Sequence, residues 1–310
     1  MAESIKVFAP ATVANVGCGF DILGFAVDHP GDEVILRKSN KSGLRIARIK
    51  GDNGRLSLNP KSNTVGVAIQ KYMDHLGSNQ GIEISLHKKM PFESGLGSSA
   101  ASAVAGVFAV NLLLGVPLDK KALLPFAMEA EKIACGSAHA DNVAPSLLGG
   151  FVLVRSYEPL DIVEIPTPED LCCALVHPQI EVKTKDARDI LKKDIKLKDA
   201  VIQWGNVAGL ITGLIQADYQ LIGRSMQDVI VEPIRSMLIH GYHQAKQKAL
   251  EAGALGAGIS GSGPSIFSLS EGKENAVKVG KAFKAVYDAL GIDNQIFVSK
   301  INLNGPQILD

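Results

Sequence analysis

The densest run of small residues in the chain comprises Pro91, Ser94, Gly95, Leu96, Gly97, Ser98, Ser99, Ala100 and Ala101. A strand-like segment, residues 82–87, precedes it. A long uncharged helical segment, residues 98–114, follows it. Small residues let a backbone approach a ligand closely. A helix N-terminus offers free N–H groups and the positive end of its dipole. Ser98 and Ser99 add hydroxyls in the first turn. This order of strand, loop and helix suits the phosphates of a nucleotide. It is neither a Walker A loop, since Gly-Lys-Ser/Thr is missing, nor the dinucleotide GxGxxG fingerprint. The bland alternative is a tight glycine turn ahead of a buried helix.

The elements that must position this loop follow from periodicity. Residues 5–9, 33–37, 44–49, 82–87 and 151–155 read as strands in the first half, and residues 63–76 as a helix. Asp119 reads as the N-cap of a helix over 120–134. The proline-rich stretch 158–168 divides the chain into residues 1–157 and 158–310. Beyond it come a strand at 171–177, helices at 184–191, 199–216 and 232–252, and two strands within 257–269 around a glycine turn. An amphipathic helix at 274–290 and a strand at 296–301 close the chain. Mixed elements without strict alternation favour α+β.

Composition excludes several classes. Thirty-two basic residues balance 32 acidic ones, so there is no cationic surplus for nucleic acid. Aromatic residues are only 5%, too few for base-stacking platforms. Four cysteines without a CxxC pair argue against zinc, and the N-terminus lacks a signal pattern, so the chain reads as reduced and cytoplasmic. Residues 94–118 carry no charge and are long enough to span a bilayer. Their serines, Asn111 and glycine-rich opening favour a helix buried in a protein core instead.

The loop resembles the P-x-x-x-G-L-G-S-S-A-A signature of the GHMP kinases. Two further segments match that superfamily in order: residues 9–24, from Ala9-Pro10-Ala11-Thr12 to Gly24, and residues 253–265, containing Ser260-Gly261-Ser262-Gly263. Two more resemble the homoserine kinase family within it. These are His139-Ala140-Asp141-Asn142-Val143-Ala144-Pro145 and Thr184-Lys185-Asp186-Ala187-Arg188, with Glu232-Pro233-Ile234-Arg235 as a third. Cys18 stands where that family usually has proline, and no proline follows Leu191.

The resemblance implies an N-terminal domain like domain 2 of ribosomal protein S5 and a ferredoxin-like C-terminal domain. It implies ATP-dependent phosphorylation of the side-chain hydroxyl of L-homoserine, a step toward threonine. ATP would lie on residues 91–101 with Gly261 alongside and Asn63 near adenine, unless Asn63 is a plain N-cap. Ser99 and Glu131 would share Mg2+, with Glu129 a near neighbour that periodicity does not separate. Asn15, Asp21, His139, Thr184, Arg188 and Arg235 would bind the amino acid. A guanidinium fork suits its carboxylate and Asp21 its ammonium. Either arginine alone reads as ordinary surface charge, and Asp21 as an Asx turn. Asn142 would orient the attacking hydroxyl and Asp141 could accept its proton. L-Threonine is the expected feedback inhibitor and a homodimer the expected assembly, with no membrane or nucleic-acid partner. The rivals are another small-molecule kinase of the superfamily and a non-catalytic nucleotide-binding regulator.

Overall fold

The computed structural model describes residues 3–115, 118–136 and 138–310. Ser137, two residues before His139, lies outside the described residues. The first half comprises strands β1 (Ser4–Ala14), β2 (Leu23–Ser39) and β3 (Leu44–Lys50), helix α1 (Thr64–Leu76), strand β4 (Gly81–His87), helices α2 (Ser98–Leu113), α3 (Lys120–Cys135) and α4 (Ala140–Leu148), and strands β5 (Phe151–Tyr157) and β6 (Leu160–Ile165). The second half begins with β7 (Leu171–Pro178) and helices α5 (Thr184–Asp189), α6 (Leu197–Gln216), α7 (Tyr219–Ser225), α8 (Glu232–Arg235) and α9 (Tyr242–Glu251). It ends with β8 (Gly256–Ile259), β9 (Ile266–Glu271), α10 (Lys273–Ala289), β10 (Asn294–Lys300) and β11 (Gln307–Leu309).

The first sheet runs β11-β1-β2-β4-β3, with β5 on β2 and β6 beyond it. Only β3 and β4 pair in parallel. The β1–β2 register shifts between Pro10 and Thr12. Such a bulge bends a strand and re-aims its side chains, and here it turns Thr12 toward the glycine loop. The second sheet runs β10-β7-β9-β8, all antiparallel. With α10 packed on it, this is the β-α-β-β-α-β order of a ferredoxin-like unit, as the resemblance implies.

Helix α2 explains the uncharged segment. Its side chains are buried almost all round, against α1, α3, α4, β1 and β2. A helix apolar on every side belongs inside a large core. No helix among the described residues is long and apolar enough to cross a membrane. The two sheets meet at Phe25 on β2, whose ring lies 5.9 Å from that of Phe267 on β9 and 4.7 Å from that of its neighbour Phe151 within the first sheet, centroid to centroid. Gly150 and Asn302 add backbone hydrogen bonds across the junction.

Three expectations change. The proline-rich stretch is not a linker: it forms the β5–β6 turn and strand β6, paired to the first sheet. The chain's last strand, β11, also returns to that sheet, so a cut at 157/158 does not separate the two sheets. The single helix expected over 232–252 breaks into α8, a 3-10 turn at Ser236–Leu238, and α9. Gly241, with φ +81°, restarts the chain in a new direction. Helix α7 was unforeseen; its N-cap Asp218 accepts from Leu221 N–H at 2.8 Å.

Candidate active site

The glycine loop sits where three chain segments converge. Gly97, with φ +65°, is the N-cap of α2, and no side chain of its own caps the helix. The first-turn N–H groups have no intrahelical acceptor, and they point toward whatever anion lies beyond. A Cβ at Gly97 would stand 2.1 Å from Thr12 Oγ1 and 2.8 Å from Asn142 Oδ1. A Cβ at Gly95, with φ +74°, would stand 2.2 Å from the Ser260 carbonyl. Both glycines are therefore demanded by close approach as well as conformation. The Ser260 hydroxyl donates to Gly95 O at 2.7 Å, and Ser265 N–H donates to Ser94 O at 3.3 Å. The second glycine turn thus clamps the first.

Behind the loop lies a buried polar network. Lys88 forms an ion pair with Asp32, which is fully buried. Lys88 Nζ also donates to Ser98 O and to Ser102 Oγ, each at 2.8 Å. Ser98 and Ser102 hydroxyls both donate to Asp32 Oδ2 at 3.1 Å. The Ser98 side chain therefore faces the protein, leaving its backbone for a ligand. Leu96, Ala100 and Ala101 are buried in the core and likewise offer only backbone. The Ser99 hydroxyl instead donates to Glu131, which is 3% exposed. Glu129 points elsewhere, to Lys132 and Lys71. The Asn63 amide caps α1 by accepting from Val65 N–H, and donates to Ser57 O at 2.8 Å.

The turn between β1 and β2 is backbone-strained. Asn15 (φ 74°), Val16 (φ 29°) and Asp21 (φ 60°) all lie at positive φ, a state that non-glycine residues hold only under constraint. Asn15 supplies the constraint: its amide accepts from Asp21 N–H at 3.0 Å and donates to Gly261 O at 2.7 Å. Both ends of Asn15 are thus spent on holding Asp21 and the second glycine turn together. Asp21 accepts from Arg188 Nη2 at 2.9 Å. Arg235 is 4% exposed; its Nε donates to Ala187 O at 2.8 Å and its Nη1 to Gly261 O at 3.2 Å. Neither bond uses Nη2. Burial pulls the Arg235 guanidinium down to about 10, still charged at neutral pH. Thr184 Oγ1 lies 3.2 Å from Ser262 Oγ.

Helix α4 starts between these two regions. Thr12 donates to Asn142 Oδ1 at 2.8 Å. Asp141 is buried, and its Oδ1 meets no hydrogen-bond partner among the described residues. Burial, aided by the nearby Asp21 charge, pushes its carboxyl up to about 7. His139, the α4 N-cap residue, is held below the usual imidazole range by burial and by Arg188, with Asp21 opposing.

Four contributors carried no separate signal in the sequence. Thr12, Asp32 and Lys88 act through distant partners. Tyr157, at the end of β5, donates its hydroxyl to Asp21 O at 3.1 Å, although it is 136 residues away.

Comparison with known proteins gives the family. The family model "GHMP kinases N terminal domain" matches residues 63–150 and "GHMP kinases C terminal" matches residues 210–289. A homoserine kinase of Chlorobium phaeobacteroides (strain BS1) is 48% identical, over 99% of this chain and 100% of that protein. The chain belongs to the homoserine kinase family. A crystal structure of homoserine kinase from Cytophaga hutchinsonii superposes with a TM-score of 0.98 at 62% identity, covering 100% of this chain and 98% of that one. A Lactococcus lactis galactokinase complexed with galactose gives a TM-score of 0.71 at 15% identity, covering 99% and 95%; that likeness shows the shared fold. As a GHMP kinase, the chain uses ATP.

Proposed function

We propose that this chain transfers the γ-phosphoryl group of ATP to the side-chain hydroxyl of L-homoserine, giving O-phospho-L-homoserine. The carrying observation is the pairing of a free helix N-terminus at Gly97 with two arginines and an aspartate on the opposing segments. The first suits a triphosphate and the second a zwitterionic amino acid. The substrate would divide the existing Asp21–Arg188 ion pair, its ammonium taking Asp21 and its carboxylate Arg188 and Arg235.

Phosphoryl transfer has a loose transition state, so catalysis rests on alignment and charge neutralisation. Asn142, which accepts from Thr12 and lies against Gly97, would orient the hydroxyl toward the phosphate. Asp141, titrating near neutrality, is suited to accept the proton. Ser99 and Glu131 fit a Mg2+ ion: they are hard oxygens already in contact, and too few to hold it without phosphate oxygens. With only these two protein oxygens, the ion would share its coordination with the phosphates of the nucleotide. Bound there, it would neutralise charge on the phosphates.

A coupled assay of ADP release tests the reading. Release is expected with L-homoserine and not with mevalonate or galactose; the reverse pattern would refute the substrate. If Asp141 is the base, kcat rises with pH through about 7 and flattens above, and Asp141→Asn removes that limb. A profile already flat in the parent protein limits Asp141 to a structural part. L-Threonine carries the same ammonium and carboxylate with its hydroxyl one carbon nearer. It is expected to compete with homoserine and leave the ATP KM alone. The exposed apolar residues Leu197, Val201 and Trp204 on α6 support docking of a second copy. Sedimentation is expected to show a dimer that Trp204→Glu dissociates.

A further inference from the structure

Two guanidinia share one aromatic ring. The Arg235 Cζ lies 4.9 Å from the centroid of Phe20, and the Arg188 Cζ lies 5.6 Å from the same centroid. The arginines come from separate helices, α8 and α5, and Phe20 from the strained turn that also carries Asp21. Like charges this close repel, and each would swing away if its stem alone held it. Arg188 has Asp21 to oppose this. Arg235 is buried and donates to two neutral carbonyls, Ala187 O and Gly261 O, while the Asp21 and Asp228 carboxylates attract it without a direct ion pair among the described residues. The electron-rich face of Phe20 adds an attraction in direct contact, and it acts on both cations at once.

We infer that Phe20 is a positioning residue for the amino-acid substrate: its ring holds the Arg188 and Arg235 guanidinia at the spacing at which both forks meet one carboxylate. This rests on reading the two arginines as carboxylate anchors. A ring does so at little entropic cost, because a phenyl side chain has only two rotatable bonds and sits next to Asp21 in the strained turn. It also leaves the outward N–H groups free, which a second carboxylate in its place would not.

The test replaces Phe20 with mono-, di- and trifluorinated phenylalanine in the full-length protein. Ring shape is nearly kept while the negative face weakens stepwise. The homoserine KM is expected to rise with each fluorine, by about tenfold at three, equivalent to about 1.4 kcal/mol. The ATP KM is expected to stay in place. Phe20→Leu should raise the homoserine KM at least as far, and Phe20→Trp should recover most of it. A homoserine KM that is flat across the fluorinated series, with Arg235→Ala still raising it, reduces Phe20 to packing and overturns the inference. A loss confined to kcat overturns it too. If neither the arginine variants nor the ring series moves the homoserine KM, the carboxylate-anchor reading itself has failed.

Discussion

In the proposed site, the two halves would recognise negative charge by different means. On the nucleotide side, the anion would meet backbone N–H groups at the start of α2, and the side chains nearby face inward. Ser98, Ser102, Lys88 and Asp32 form a closed network that fixes the helix end. On the amino-acid side, the anion would meet charged side chains from two short helices, Arg188 on α5 and Arg235 on α8. Backbone amides on a packed helix have nowhere to move. Guanidinia on short helices need partners to aim them, which here are Asp21, Ala187 O, Gly261 O and Phe20. Damage to the first half should therefore show in stability and ATP affinity together. Damage to the second should show in homoserine affinity alone.

The sharpest way to break this contrast is Lys88→Met. It leaves Asp32 as an unpaired buried carboxylate, and loss of one partner from such a pair costs about 3–5 kcal/mol. Urea denaturation should register that loss, and ATP binding should weaken with it as the start of α2 loosens. Unchanged stability would show that the network does not hold the loop. The matching experiment on the other side is Arg235→Ala. Homoserine binding is expected to fall by about 2–5 kcal/mol, the range for truncating one partner of a buried charge contact, while the KM for ATP holds. A change in both KM values would mean that the halves are not separable, most directly through Gly261, which contacts Arg235 and lies against Gly95.

This contrast also governs what could be seen in advance. A backbone anion site leaves its mark in sequence because only small residues fit: Gly95 and Gly97 are required where Ser260, Thr12 and Asn142 approach. The uncharged α2 behind it was equally plain, since burial on every side excludes charge. The arginine side is different. Nothing in local spacing distinguishes Arg188 or Arg235 from a surface arginine, and only resemblance singled them out. Their aiming partners were further out of reach. Phe20 read as part of a motif, and its use as a shared platform depends on α5 and α8 arriving from residues far along the chain. Asn15, expected on the substrate, also holds the turn together, donating to Gly261 O and accepting from Asp21 N–H, which no local pattern foretold. The break of residues 232–252 into α8 and α9 was hidden because one glycine in an otherwise helical pattern is a weak signal.

Asp141 lies between the halves and gives an intermediate test. Its carboxyl titrates near 7 when folded, against 3.8 ordinarily, so the folded state holds a proton that the unfolded state releases. The stability this contributes is complete below about pH 4 and is lost as pH rises through 7. Between pH 5 and 8 the ligand-free protein should lose about 2.5 kcal/mol from this group. Asp141→Asn should flatten that slope and be the more stable form at pH 8. An identical slope in both proteins would place the Asp141 titration near its unfolded value.

The smallest expected effect falls on the amino-acid side. Tyr157→Phe removes one hydroxyl, which donates to the Asp21 carbonyl from a side chain that is 38% exposed. A hydrogen bond of this kind contributes about 0.5–1.5 kcal/mol, and exposure puts this one at the lower end. Its acceptor matters more than its strength. Asp21 stands at φ +60°, and the Tyr157 hydroxyl fastens the peptide that leaves this strained residue. Without it, the Asp21 carboxylate should wander relative to Arg188, and the homoserine KM should rise about threefold. The ATP KM and the urea midpoint should hardly move, because neither the α2 network nor the core touches this bond. A shift in the ATP KM of the same size would show that strain in the Asp21 turn is passed through Asn15 and Gly261 to the glycine loop, and that the two recognition modes are mechanically one.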